Sequence, residues 1–544
     1  MSHGFENVTA SRRSVLKTMM AAGGIAAGLV TADHSEGAAL GLVVPPAGGL
    51  STGTTAGIAG VFDVRAFGAQ GDGKTVDTPA VNKAIEAVSA AGGGTVLFPA
   101  GDYLCFSIRL KSKVSLCLSQ GATIVAGETG QGGNYDAAEP NPWDMFQDYG
   151  HSHWHNALLW GEDLTDIAIL GPGLIWGKGL TSGRNETGAG VGDKALSLKN
   201  CRNVTLRDIS FLHAGHFALL ATGVDNLTVD NVTIDTNRDG FDFDCCRNVR
   251  VSDCTVNSPW DDGICPKSSY ALGYARSTEN MTITNCYVTG RYQEGTLLDG
   301  TWKPFEPGAR IPRTGRIKCG TESNGGFKNI TISNCVFEGC RGLALETVDG
   351  ALMEDIAISN LTMRDVVEMP FFLRLGSRMR GPKENPIGKL RRVQISDIVV
   401  SNSDARYASV ISGIPGHEIE DIKLSNITIL HQGGGTKQDA SIVLAEKENA
   451  YPEPNMFGTT PSYGFFLRHV KGIEMSNIEV RYEKDDARPA ILLDDVKGGD
   501  FIHVKADHVE GAPVFSIKNS TDFNLYMSRP LPDTHLENAE KKEL

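Results

Sequence analysis

From Asn203 onward, apolar and polar positions alternate in short runs that keep returning: NVTLRDISF, NLTVDNVTI from Asn226, NVRVSDCTV from Asn248, NMTITNCYV from Asn280 and NITISNCVF from Asn329. The series continues as DIAISNLTM from Asp355, RVQISDIVV from Arg392, DIKLSNITI from Asp421 and GIEMSNIEV from Gly472. Period-two alternation marks a strand with one buried face, the Asn or Asp inside each unit marks a corner, and a second short strand follows it. The tightest spacing is roughly 22 to 26 residues, with longer gaps where loops are inserted, which is the period of a stacked solenoid. With β-branched residues and no helical pattern between units, the chain reads as all-β, a right-handed parallel β-helix. The LxxLxL units of a leucine-rich repeat are missing, and a propeller would need longer blades and hairpin turns.

The start of the ordered pattern differs. A strand from Val61 leads through a Gly/Asp turn into Thr78–Ala90, where Val81, Ala84, Ile85 and Val88 line one face of a helix. Gly92, Gly93 and Gly94 stop it, and a strand over 95–98 follows. A lone helix ahead of a long β region is expected to cap the open end of the stack.

A chain of 544 residues exceeds what one ordinary core serves, but a repetitive architecture accommodates it as a single catalytic domain over 61–530. Ahead of it, Arg12 and Arg13 precede an apolar run from Met19 to Val30 and the small residues Thr31 and Ala32, so 1–32 reads as a twin-arginine export signal. Its apolar run, about 12 residues, is too short to span a bilayer. Residues 33–60 read as a flexible leader and 531–544 as a polar tail. The expected destination is periplasmic or extracellular, with no membrane association after signal removal and a monomeric state. The net charge of −14 disfavours a nucleic-acid partner, though a local basic patch could still meet an acidic polysaccharide. Eleven cysteines, three of them in the recurring Asn-Cys pairs ending at Cys201, Cys286 and Cys335, read as small buried side chains stacked in the core. Cys245-Cys246 is the pair to test for redox chemistry, and no CxxC metal spacing occurs.

The chemistry concentrates in NRDGFDFDCCRNVRVSDCTVNSPWDDGICPK, residues 237–267. Asp239 and Asp261 lie about one coil apart, and coils stack at about 4.8 Å, so their carboxyls become neighbours on one face. A separation of roughly 6.5 to 9.5 Å is what an inverting glycosidase needs, one carboxyl protonating the leaving oxygen and the other activating water. Crowding like charges also raises one of the two pKa values.

The NRDG and WDDG pair, the repeat, and the start VFDVRAFGAQGDGKTVDT are similar to glycoside hydrolase family 28, the polygalacturonase and rhamnogalacturonan hydrolase family. The resemblance covers most of the chain after residue 60. It implies that Asn237-Arg238-Asp239 matches the family's NTD motif, Asp261-Asp262 its DD motif and Lys267 its following lysine. By the same resemblance Asp261 is the general acid, while Asp239 and Asp262 hold the attacking water. It implies a pectin-type oligo- or polysaccharide as substrate and neither cofactor nor metal. Two motifs depart. Thr314-Gly315-Arg316 stands where the family has Gly-His-Gly, ahead of Cys319-Gly320-Thr321-Glu322, and Ala344-Leu345-Glu346 stands where the uronate-gripping Arg-Ile-Lys would be. An Arg316-Ile317-Lys318 string one repeat earlier offers charge from a neighbouring coil. Without the grip, a rhamnogalacturonan-type or side-chain linkage gains ground over plain polygalacturonate.

Further candidates carry two readings each. Trp260 either stacks on a sugar or fills core. Glu322 either joins the polar site or is a solvated turn carboxylate. Arg316, Arg374 and Arg378 are candidate contacts for an anionic substrate. Asp242 and Asp244 are either supporting groups or solvent-facing. His213 and His216 read as structural core groups, and His151, His153 and His155 as groove lining rather than metal ligands. Insertions at 141–156, 270–276 and 291–315, carrying Trp143 and Trp302, are expected to wall the groove, and the purpose of YPEPNMFG at 451–458 is open. The rival functions are a β-helical polysaccharide lyase, with calcium on the carboxylates and a Lys or Arg base, and a non-catalytic carbohydrate-binding β-helix.

Overall fold

A computed structural model describes residues 60–183, 188–383 and 385–544. The export signal, and the leader except for Gly60, lie outside these residues. Val204, Leu227, Val249, Met281, Ile330, Ile356, Val393, Ile422 and Ile473 occupy the same place in nine successive repeats, and parallel pairing brings them into one buried column. That column is the alternation of the sequence turned through ninety degrees, with every second side chain pointing into the coil's interior. The result is the expected right-handed parallel β-helix.

Each early coil has three strands. Asp239–Asp244, Arg247–Ser252 and Thr255–Asn257 make one, and the next begins at Ile264–Lys267. The recurring Asn and Asp residues sit where the chain turns. Asn226 and Asn231 have φ of 56° and 50°, Asn248 and Asp253 both 57°, and Asn329 and Asn334 54° and 55°. These left-handed positions favour short polar side chains over branched ones, which is why the motif preserves them. Their amides also stack, with Asn329 donating to Asn280, Asn280 to Asn248, Asn248 to Asn226, Asn226 to Asn203 and Asn203 to the carboxylate of Asp166. Asn248→Ala is therefore expected to lower stability by about 2 kcal/mol, through two lost hydrogen bonds and a left-handed alanine. Asn248→Gly should recover the backbone part in the same denaturant titration, and equal losses for both variants would contradict this account.

The helix Thr78–Ala90 buries Val81, Ala84, Ile85 and Val88 against the first coils, where they join the main core as expected. Segment 531–544 departs from expectation. Thr534–Glu543 is a strand, paired antiparallel with Phe515–Tyr526, because its alternation places Leu536 opposite Phe523 while charged residues face out. All eleven cysteines are free thiols, ten of them buried, as the stacked reading requires; burial pushes the Cys245 and Cys246 thiols well up, away from thiolate chemistry. Among the described residues no helix is long and apolar enough to cross a membrane.

Candidate active site

One six-stranded parallel sheet carries the acidic stretch: Ile108–Arg109, Ala157–Glu162, Lys194–Lys199, Phe217–Thr222, Asp239–Asp244 and Ile264–Lys267, in that spatial order. Phe217 pairs with Asp239, and Asp244 with Lys267. Asp239 thus opens its strand directly beside the turn that holds Asp261 and Asp262. The coils approach so closely here that a Cβ on Gly240 would lie 2.4 Å from the carbonyl oxygen of Gly263, which explains the glycine after Asp239. Ser258 ties the turn down by donating to the Asp261 carbonyl at 2.9 Å and to that of Arg238.

Asp239, Asp261 and Asp262 each offer an oxygen within 4.8 Å of the others. This is tighter than the expected separation, because all three sit on adjacent turns with no loop between them. Crowding at that distance must be relieved by cations or protons, and the site uses both. Asp262 is 1% exposed and receives Lys318 Nζ at 2.5 Å and Arg316 Nε at 2.8 Å. Burial opposes its ionisation, but Lys318, Arg316 and Lys267 outweigh it and hold the carboxyl well below the usual range. Burial, then Asp261 and Asp242, push Asp239 well above that range. Burial and Asp262 also raise Asp261, against Arg238, Lys318 and Lys267.

Asp239, Asp261, Trp260, Lys267 and Lys318 line a cavity of about 260 Å³, with Trp260 44% exposed at its edge rather than in the core. Asp262 lies immediately behind them. The Arg316-Ile317-Lys318 string stacks on the next coil, with Ile264 bridging Ile317, so its cations compensate Asp262 instead of standing free. Arg316 is completely buried and also faces Glu453 at 3.4 Å, which corrects its reading as a substrate contact. Glu322 is likewise fully buried, accepting from Lys267 and Arg380 at 3.2 Å each and from the Asp148 amide at 3.1 Å; it anchors Lys267 and does not reach the cavity. Lys267 also faces Asp242 at 3.9 Å, and these carboxylates keep it charged despite burial. Arg374 is spent on carbonyls of Gly413, Glu446 and Lys447 and on Ser412 Oγ, pinning the 434–464 loop, and Arg378 clamps Asp349, so neither is a substrate contact. The residue in the Arg-Ile-Lys place, Glu346, is buried and raised to about 7 by that burial.

Two histidines reverse their expected parts. His213 is half exposed and paired with Glu294 at 3.0 Å, not a core group. His216 is the one at the site, its Nε2 3.8 Å from Asp239 and 3.3 Å from Arg238 Nη2. Burial and Arg238 hold its pKa well below 6.5, so the neutral ring accepts from the guanidinium. Its spacing of 22 residues from Arg238, one coil, was the available signal. Asp242 and Asp244 are buried supports; Asp242 binds His151 Nε2 at 2.9 Å, and Asp244 accepts from Ser269. His151 lines the cavity. Among the expected walls, 141–156 contributes Asp148 and Tyr149 and 291–315 contributes Pro312 and Thr314, while 270–276 braces the first through Tyr270 against Trp143. Trp143 and Trp302 lie outside the cavity lining, the latter packed on Tyr287 and Tyr292. The 451–458 loop supplies the wall that sequence did not identify. Tyr451 hydroxyl donates to Asp148 at 3.1 Å, and Glu453 pairs with Arg341 at 2.5 Å.

Two family models match the chain, "Rhamnogalacturonase A/epimerase, pectate lyase-like" over residues 61–131 and "Right handed beta helix region" over 178–303. A probable polygalacturonase of Vitis vinifera is 24% identical over 429 residues, 73% of this chain and 80% of that protein. The structure of an exopolygalacturonase from Thermotoga maritima superposes with a TM-score of 0.55 at 18% identity, covering 77% of this chain and 91% of that one. A family 28 exopolygalacturonase from Yersinia enterocolitica gives 0.53 at 16% identity, covering 86% and 78%.

Proposed function

We propose that this chain, a glycoside hydrolase resembling family 28, is exported by way of residues 1–32 and cleaves α-glycosidic bonds of a pectin-type glycan by acid/base catalysis; inversion at the anomeric carbon is proposed from the resemblance alone, since the carboxyl oxygens, within 4.8 Å of one another, stand closer than the usual inverting separation. The observation that carries the reading is the carboxylate trio. Asp239 and Asp261 line one small cavity and hold raised proton affinity, while Asp262, immediately behind them, is kept charged by two cations. Such a site contains a proton for the leaving oxygen and an anionic oxygen for water, the two things hydrolysis of an acetal needs. The paired cations weaken the lyase alternative, whose calcium would compete with Arg316, Lys318 and Arg238 for the same oxygens.

The substrate follows from what is absent at the family's uronate grip. Ala344, Leu345 and the buried Glu346 offer no cation there, and Arg316 and Lys318 are committed to Asp262. A rhamnogalacturonan-type or side-chain linkage is the better fit than homogalacturonan. The meeting of Asp148 with Tyr451 and with Arg380 at 2.7 Å closes the cavity on one side, which favours attack at a chain end.

A reducing-sugar screen of the purified protein on homogalacturonan, rhamnogalacturonan and short oligosaccharides tests the activity. Proton NMR of the first-formed anomer tests inversion, and retention would refute it. Ultraviolet-absorbing unsaturated products, lost on chelation, would establish the lyase instead. Trp260→Ala should raise KM about fivefold with little change in kcat, as expected for a lost stacking surface worth about 1 kcal/mol. An unchanged KM would return Trp260 to a structural part.

A further inference from the structure

Two hollows adjoin the catalytic cavity on the side of the earlier coils, and they differ in the charge they can offer a sugar. One, of about 330 Å³, shares Asp148 and Tyr149 with the cavity and adds Asp144 and Asp193. No lysine or arginine lines it among the described residues, and the cations behind it are spent, Lys194 on Asp193 and Arg380 on Asp148. The other, of about 250 Å³, is lined by Trp176, Lys178, His213, Asn237 and Glu294. Glu294 is the one carboxylate in that lining, and His213 already pairs with it at 3.0 Å. Lys178 is exposed and forms no ion pair with a described residue. Its Nζ lies 5.4 Å from the centroid of the Trp176 ring, a cation–π contact that steadies the ammonium without neutralising it. Every other cation near the catalytic carboxylates has an acidic partner: Arg238 has Asp261, Lys267 has Glu322, Lys318 has Asp262 and Arg341 has Glu453.

Parallel pairing fixes where the second hollow lies along the solenoid. Trp176 pairs with Leu212 and Leu212 with Asp235, and the chain runs on from Asp235 through Asn237 to Asp239. Trp176 therefore stands two coils, about 10 Å, ahead of the coil that carries Asp239. Asn237 lines this hollow, and Asp239, two residues on, lines the catalytic cavity, so a glycan lying in one can continue into the other.

We propose that the hollow is a subsite for a uronate unit lying away from the bond that is cleaved, with Lys178, held by Trp176, as the cation that binds its carboxylate. The inference rests on the hydrolase reading above and sharpens its substrate. The place of the family's grip, Ala344-Leu345-Glu346, pairs with Lys318-Cys319 on the later coils and offers no cation, whereas Lys178 stands on the opposite side of Asp239 along the solenoid. Carboxylate recognition is thus withdrawn from one side of the catalytic centre and supplied on the other. A glycan in which acidic and neutral units alternate meets that demand, and one with a carboxylate on every unit leaves a charge unmatched at the grip.

The test compares kcat/KM on whichever uronate-containing glycan of the screen the wild type cleaves with kcat/KM on its carboxyl-reduced counterpart, in which each uronate has become a neutral hexose. The wild type should prefer the acidic form. Lys178→Gln should lower that preference about tenfold, mainly through KM, the worth of a charge-assisted hydrogen bond, and Lys178→Arg should restore it. Lys178 is exposed, so melting curves should show all three proteins equally folded. A wild type indifferent to carboxyl reduction, or active only on glycans without uronate, overturns the subsite while leaving the hydrolase reading intact. So does a Lys178→Gln protein that keeps the wild-type preference or loses equally on both forms. No turnover by the wild type on any glycan of the screen would overturn both.

Discussion

Asp261→Asn is expected to lower kcat/KM on the cleaved glycan by about 10²- to 10⁴-fold, the worth of one general acid or base, while the protein melts within a few degrees of wild type. The loss is large because Asp261 lines the cavity with Asp239 and has Asp262 immediately behind it, so it is an acid or a base in any assignment of the roles. The stability change is small for separable reasons. The amide oxygen still accepts the Asp262 N–H, and the lost pair with Arg238 is between side chains 26% and 29% exposed, a setting where an ion pair contributes at most about 1 kcal/mol. Removing a negative charge beside Asp262 also relieves repulsion. Activity above a tenth of wild type in a folded Asp261→Asn protein would sink the catalytic assignment, and a folded but inactive Asp239→Asn variant should accompany it.

Arg316→Met is expected to cost about 3 to 5 kcal/mol of stability, the penalty for leaving a buried charge without its partner. Arg316 is completely buried, at 0% exposure, between Asp262, Glu346 and Glu453, from two neighbouring coils and a distant loop. The pH dependence has a definite sign. Asp262 is held below its unfolded value, so its contribution is present above about pH 4 and fades as pH falls through the folded value. The gap between wild type and Arg316→Met in denaturant midpoints should therefore be widest near neutrality and narrow in acid. Equal stability at neutral pH would mean that Lys318 alone suffices for Asp262.

The repeat made the scaffold legible, since alternation, left-handed corners and column stacking are local properties that each unit restates. The same regularity brought out Asp239, Asp261 and Asp262 together, because one coil of separation is a countable distance. It also contained His216, one coil before Arg238, which reads as a core histidine until its neighbour across the sheet is considered. Arg316 and Lys318 were found as cations but not as the partners of Asp262, since their service depends on which side of the strand each faces and on the inserted loop between 267 and 316. Tyr451 and Glu453 were out of reach. Tyr451 meets Asp148 across 303 residues of chain, and no local pattern encodes such a meeting.

The asparagine ladder has a bearing on how this molecule could change over generations. Its rungs are separated by 23, 22, 32 and 49 residues, yet the amide bonds span 2.9, 3.1, 3.2 and 2.8 Å, indifferent to how much chain has looped out between them. Lengthening a loop adds little closure entropy when the anchor points are already joined. The scaffold thus insulates its register from its excursions, so the walls around Asp239 and Asp261 can be rewritten for a new sugar while the floor that places the carboxyls stays as it is. Evolvability of specificity, at constant chemistry, is a property of the ladder rather than of the site.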